Sequence, residues 1–106
     1  MRGTLVRWRD PLARDLSARF DELVEEARQE MARALSDSSG TKSGAVSERI
    51  RKVRLAEGRV LGYVDALSFT EPKLATRLAV EATKLSADIE VACLTIERDN
   101  LGASST

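Results

Sequence analysis

The chain has 106 residues, with 17 basic and 17 acidic side chains and no histidine. One domain of modest size is therefore expected, and every catalytic triad or zinc site that needs an imidazole is excluded. The zero net charge argues against nucleic-acid and membrane-surface proteins, which usually carry an excess of positive charge.

Cys93 is the only cysteine, so no internal disulfide can form and a reducing compartment is favoured. No uncharged apolar run approaches the ~20 residues that span a bilayer, and the N-terminus lacks the hydrophobic region of a signal peptide. We expect a soluble intracellular protein with no membrane partner and no cofactor or metal. A solvated helix face, rather than a di-iron site, is the expected role of Glu22, Glu25, Glu26 and Glu30.

Residues 1–9 are predicted to form an arm ahead of the first helix. The arm places the only tryptophan between two arginines, and these residue types are favoured interface anchors. It could insert into a partner's pocket or fold onto the chain's own bundle, and the residues alone leave both open. The candidate docking residues are Leu5, Val6, Arg7, Trp8 and Arg9.

An amphipathic helix is predicted over residues 10–35. Asp10 is a good N-cap, and Pro11 suits the first helical position. Apolar residues follow helical spacing on one face: Leu12, Leu16, Phe20, Leu23, Val24, Ala27, Met31 and Leu35. The serine- and glycine-rich segment 36–44 is predicted to be a flexible linker.

Residues 45–99 are predicted to form a helical hairpin. Helix 2 covers about 45–67, and helix 3 begins near Thr70 and Pro72 and ends near Asp99. The short connection predicts an antiparallel arrangement, and residues 100–106 are expected to form a frayed tail. The predicted fold is all-α: three helices, an N-terminal amphipathic helix followed by a long antiparallel hairpin.

Helix 2 has two opposed faces. Its main apolar seam comprises Val46, Ile50, Val53, Val60, Val64 and Leu67. Gly58, Gly62 and Ala66 lie on the other side, with Leu55 and Phe69 at the ends. A helical glycine costs ~1 kcal/mol relative to alanine, but small residues every four positions let another helix approach closely. We interpret this stripe as a groove for a second helix.

One carboxylate, Glu57, falls within the seam of helix 2. If buried, it needs a partner such as an arginine. Alternatively, it lies at the edge of the seam and reaches solvent.

Helix 3 also has two apolar faces. Its main face comprises Leu74, Leu78, Leu85, Ile89, Ala92 and Ile96, and its second face comprises Val80, Ala87, Val91 and Leu94. A helix of an isolated three-helix bundle needs one core-facing stripe, so the surplus faces predict self-association or a large protein partner. The alternative is a monomer with exposed valines, which are common on surfaces.

The densest basic run is RIRKVR, residues 49–54. Such a run can contact phosphates, and the candidate residues are Arg2, Arg49, Arg51, Lys52 and Arg54. The run has neither a glycine-rich phosphate loop nor interleaved aromatics. A salt-bridged or solvated face is therefore favoured over nucleic-acid binding.

The pattern Gly58-Arg59-Val60-x-Gly62-Tyr63-x-x-Ala66-Leu67 resembles a stretch in short helical-hairpin proteins encoded among tailed-bacteriophage structural genes. Those proteins commonly show a G-R-(I/V)-x-G-(L)-x-x-A-L run in a central helix, and Tyr63 stands here at the leucine-like position. The resemblance covers residues 58–67 of 106. It implies a small accessory virion or assembly protein and provides no catalytic residues.

We therefore expect a non-enzymatic structural or assembly protein, located in the cytoplasm or a virion. It would act by helix–helix self-association or by docking to a larger structural protein. The alternative is a small nucleic-acid-binding or regulatory protein that uses the N-terminal arginines and the 49–54 run.

Overall fold

The computed structural model describes the backbone of residues 2–36 and 43–104, and the side chains of 11–36 and 46–99. The described chain forms three helices: α1 (Arg2–Ser36), α2 (Ser43–Thr70) and α3 (Pro72–Ser104). Within these ranges there is no strand, which confirms the all-α class. None of the described helices contains a segment long and apolar enough to cross a bilayer.

The start of α1 differs from the prediction. The helix begins at Arg2 rather than at Asp10, and Pro11 lies inside it. An interior proline lacks the N–H that would bond to the carbonyl four residues earlier. The residues before Pro11 nevertheless continue the helix. Residues 2–9 are thus the first turns of α1 and not a separate arm.

The turn between α2 and α3 consists of Glu71 alone. The Ala75 amide donates to the Glu71 carbonyl at 2.9 Å, so Glu71 is the N-cap of α3. The reason is Pro72, which disfavours helical geometry in the residue before it. α3 continues to Ser104, beyond the predicted end at Asp99, and no described glycine has a positive φ. Residues 100–104 of the predicted tail are therefore helical.

The helices on both sides extend into the predicted 36–44 linker. Ser36 is the last residue of α1, while Ser43 and Gly44 are the first of α2. Residues 37–42, which form the rest of that linker, and residues 105–106 of the predicted tail lie outside the described residues.

The core runs along the axis of a rod whose extents are 70 × 17 × 16 Å. All three helices contribute side chains that are almost completely buried, among them Phe20, Val53, Val60, Leu85 and Ile89. The predicted main faces of α2 and α3 lie in or against this core. On α1 the centre of the predicted face is also buried, but its two ends, Leu12 and Leu35, are exposed.

Polar contacts fix the helices relative to one another. Tyr63 donates its hydroxyl proton to the Leu16 carbonyl at 2.8 Å, which joins α2 to α1. The Arg28 guanidinium reaches Asp88 of α3 at 3.3 Å. These two contacts join α1 to both of the other helices.

Candidate helix-docking faces

One side of α2 faces away from the other two helices. Its members, called here the α2 outer face, are all exposed: Leu55, Gly58, Gly62, Ala66 and Phe69. Leu55 is 52% exposed and Phe69 is 83% exposed. A Cβ atom added at Gly58 or Gly62 would have no neighbouring atom within 4 Å. The described helices thus leave the glycines of this face uncovered, while Leu55 at its N-terminal end borders an open groove against α1.

Helical periodicity explains why the α2 outer face is exposed. Val53 and Val60 lie on the opposite side of α2 and are 1% and 0% exposed. The glycines have ordinary helical backbone angles without positive φ. Neither backbone geometry nor close packing within this chain requires glycine at positions 58 and 62.

A second exposed side lies on α3. The α3 outer face comprises Val80, Ala87, Val91 and Leu94, and its three large members are 50–64% exposed. All nine residues that the sequence predicts for helix–helix contact are thus located on two outer faces. The faces lie on different helices, and the structure does not bring them together into a single site.

Sequence reasoning missed Leu61, which is 44% exposed beside the α2 outer face. It lines an open groove of about 370 Å³ between α2 and α3, together with Val64, Ala75 and Ala79. The available signal was its position three residues after Gly58, which places it next to the glycine stripe. The groove extends the apolar surface of α2 towards α3.

Two opposite charges flank the α2 outer face. Arg59 and Asp65 are each three residues from Gly62, which places them about 60° to either side of it on the helix. Both are exposed. Neither takes part in the ion pairs found among the described side chains. Arg59 also lines an open groove that contains Glu26 and Glu30 of α1.

Most of the basic run makes contacts within the chain. Arg49 donates to the Ala34 carbonyl, one of the last carbonyls of α1, which have no partner inside the helix. Arg51 pairs with Glu48 at 3.2 Å, whereas Lys52 is exposed. This arrangement supports the salt-bridged interpretation of residues 49–54 over phosphate binding.

Arg54 is the centre of a small charged cluster. It donates to Glu57 at 3.1 Å and to Glu90 of α3 at 2.6 Å. The Glu57 side chain is only 13% exposed. Of the two interpretations from the sequence, a largely buried carboxylate paired with an arginine is therefore the one that the structure supports. The hydrogen bonds that Arg54 donates to Glu90 and Glu57 raise its pKa above the ordinary value. The cluster ties α2 to α3 and has a structural role.

The lone thiol is next to this cluster. Cys93 is 2% exposed. Burial raises the pKa of its thiol, and the nearby positive charge of Arg54 offsets only part of that effect. A thiol that is buried and protonated is a weak nucleophile.

The predicted docking residues of the N-terminus, Leu5 to Arg9, are helical in their backbone, but their side chains lie outside the described residues. The same holds for Arg2. Their roles in partner docking or phosphate contact stay predictions.

No group of three or more acidic or cysteine side chains within the described ranges could hold a metal ion. No protein-family model matches the sequence, and no curated protein or solved structure shows a significant match to it.

Proposed function

We propose that this chain is a non-enzymatic assembly protein that acts by helix–helix contact through the α2 and α3 outer faces. The partner is a second copy of the chain, and the resulting assembly presents its remaining apolar face to a larger structural protein. The resemblance of residues 58–67 to phage helical-hairpin proteins makes an accessory component of a tailed-phage virion the most specific form of this proposal.

The observation that carries the proposal is the exposure of large apolar side chains on α2 and α3. Five of them, Leu55, Phe69, Val80, Val91 and Leu94, are at least half exposed. Exposed apolar surface of this extent on a soluble chain is typical of interaction sites. Its placement on both long helices of a narrow rod suits an assembly protein better than a catalyst, which needs a concave pocket.

An antiparallel α2–α3 hairpin is part of the proposal. Arg54 precedes Glu71 by about as many residues as Glu90 follows it, and the two side chains meet at 2.6 Å. A chain that reverses direction at Glu71 produces this pairing. With both helices running back to back, each has its outer face available along most of the rod.

The apolar surface sets the scale of the expected affinity. Burying what remains exposed of Leu55 and Phe69 in two copies contributes about 6 kcal/mol, at ~1.5–3 kcal/mol per fully buried side chain. Association itself costs ~4–15 kcal/mol. The two side chains alone therefore give weak binding, and close backbone packing at the glycines must supply the rest.

The experiment compares matched leucines on different helices. Leu55 is 52% exposed on the α2 outer face, and Leu35 is 48% exposed on α1. Leu55→Ser is expected to lower the mass measured by size exclusion with light scattering, while Leu35→Ser leaves it unchanged. Equal effects of the two variants, or no effect of Leu55→Ser on the mass, would contradict the proposal.

A further inference from the structure

We propose that copies of this chain associate side by side in a row, with the α3 outer face of one copy packed into the groove between α1 and α2 of the next. This inference rests on the proposed function and adds the geometry of the contact. All three pairs of helices are in contact, so α3 lies opposite the groove between α1 and α2. Each copy therefore has a convex face on one side of the rod and an open groove on the other.

The groove between α1 and α2 has two rims of different charge. Its volume is about 370 Å³. Lys52 and Arg59 line it on the α2 side, and Glu26 lines it on the α1 side. Glu30 and Arg33, which also line it, bind each other at 2.7 Å. The rim on α2 is therefore basic, and the rim on α1 is acidic through Glu26.

The α3 outer face has edges of opposite charge. Lys84 is four residues before Asp88, so the two lie on the same edge, and Asp88 contacts Arg28 of α1. Lys84 is exposed and takes part in none of the ion pairs found among the described side chains. The other edge carries Glu90, which contacts α2. The edge towards α1 is thus basic through Lys84, and the edge towards α2 is acidic.

A neighbour that is shifted sideways without rotation brings opposite charges together. The edge of α3 that lies towards α1 in its own chain then also lies towards α1 of the next copy, so Lys84 approaches Glu26. The edge with Glu90 lies towards the basic rim of α2. A neighbour turned end over end would exchange the two edges and bring like charges together, which disfavours that orientation.

The positions of these charges along the rod also agree. Asp88 contacts Arg28, and Arg77 borders a groove together with Ser17 of α1. In both cases the two residues are 60 apart in the chain. This constant offset fits helices α1 and α3 that run in the same direction, and it gives the level of every α3 residue on α1.

At this offset the charged pairs align without any shift along the rod axis. Lys84 is level with the midpoint between Glu22 and Glu26 of the next copy. On the other side, the contact between Arg54 and Glu90 within one chain places Lys52, two residues before Arg54, about 3 Å from the level of Glu90. A neighbour at the same height therefore satisfies both rims at once.

Apolar side chains meet at the same height. Leu55 follows Arg54 in α2, which places it about level with position 89 in the antiparallel hairpin. Ala87 and Val91 of the neighbour lie on either side of that level. Leu55 lines the groove and is 52% exposed, and Val91 is 64% exposed. The contact would remove both side chains from water.

The contact joins two different surfaces, so it leaves one face and one groove free in every pair. Head-to-tail contacts of this kind close into a ring if each step adds a suitable rotation, and otherwise they continue. The face and the groove lie on opposite sides of the rod, so each step is a translation. The expected product is an open row that grows beyond a dimer.

Complementation between two variants tests this geometry. Val91→Asp disables the α3 outer face, and Leu55→Asp disables the groove. Each variant alone is expected to stay at 11.6 kDa in light scattering, because every contact needs both surfaces. An equal mixture should form a dimer and stop there, because the groove of the first variant and the face of the second are intact. Leu35→Asp, at a position of α1 that is 48% exposed, should behave as the wild type.

The outcomes separate this contact from the proposed function. A mixture that stays monomeric while the wild type associates would overturn the contact and leave the proposed function intact. A wild type that stops at a dimer would also overturn the open row. A wild type that is monomeric would overturn both. Recovery of the dimeric mass on mixing would show that both variants are folded.

Charge reversal tests the assigned register separately. Glu26→Lys is expected to weaken association, because it brings a lysine against Lys84 of the neighbour. Its matched control is Glu25→Lys, since Glu25 is exposed but does not line the groove. The double variant Glu26→Lys/Lys84→Glu should regain the mass of the wild type. Equal effects of Glu26→Lys and Glu25→Lys, or no recovery in the double variant, would contradict the register.

Discussion

Gly62→Ala is expected to raise the free energy of unfolding of the isolated chain by about 0.8–1.0 kcal/mol. Position 62 is exposed, has no atom within 4 Å of an added Cβ and has no positive φ. The methyl group therefore meets neither a clash nor backbone strain, and the gain is that of helix propensity alone. For a chain of this size the melting temperature should rise by about 4–8 °C.

Leucine at the same position separates folding from association. Gly62→Leu should also stabilise the isolated chain, because leucine is a good helix former. It should weaken self-association, because a leucine side chain among the small residues of the α2 outer face would hold a partner helix further away. Asp15→Leu, at an exposed position of α1, controls for adding an apolar side chain elsewhere.

The assay has two parts. Urea denaturation at about 1 µM, where weak complexes dissociate, reports the stability of the isolated chain, and light scattering at high concentration reports its mass. A lower unfolding free energy for Gly62→Ala would refute the conclusion that this position is open. An unchanged mass for Gly62→Leu would refute the interpretation of the glycine stripe as a groove for a second helix.

Three further predictions concern the interior of the bundle. Tyr63→Phe should lower the free energy of unfolding by about 1 kcal/mol in urea titrations, because it removes the hydroxyl bond to α1. Burial raises the pKa of Tyr63 above its ordinary value. The wild type should therefore lose stability relative to Tyr63→Phe as the pH rises through that raised pKa. Parallel profiles of unfolding free energy against pH for the two proteins would contradict this. Arg54→Ala should lower the free energy of unfolding by about 1–3 kcal/mol, because Glu57 is left without its cation. The control Arg51→Ala removes an exposed ion pair and should have no measurable effect on that free energy. Cys93 should react with a thiol reagent much more slowly in the native chain than in urea, because burial raises its pKa; equal rates would show that the thiol is accessible.

Helical periodicity predicts the faces of these helices well. The seam of α2 and the main face of α3 lie in or against the core, because a spacing of 3.6 residues determines which side chains share a face. The exposure of the two outer faces follows from the same helical spacing. What these faces bind stays a prediction.

Contacts between distant residues could not be predicted in the same way. Arg54 belongs to the basic run in sequence, but its partner Glu90 lies on another helix, and nothing local indicates the pairing. Arg49 binds the end of α1 for a reason that is visible only after the helices are packed. The predicted start of α1 is wrong because proline often marks the start of a helix but also occurs inside helices.

The most direct test of self-association is the mass of the wild-type chain in solution. Light scattering from about 5 µM to about 200 µM covers the range in which weak dimers form. We expect the mass to rise from 11.6 kDa towards at least twice that value with increasing concentration. A mass that stays at 11.6 kDa over the whole range would contradict it.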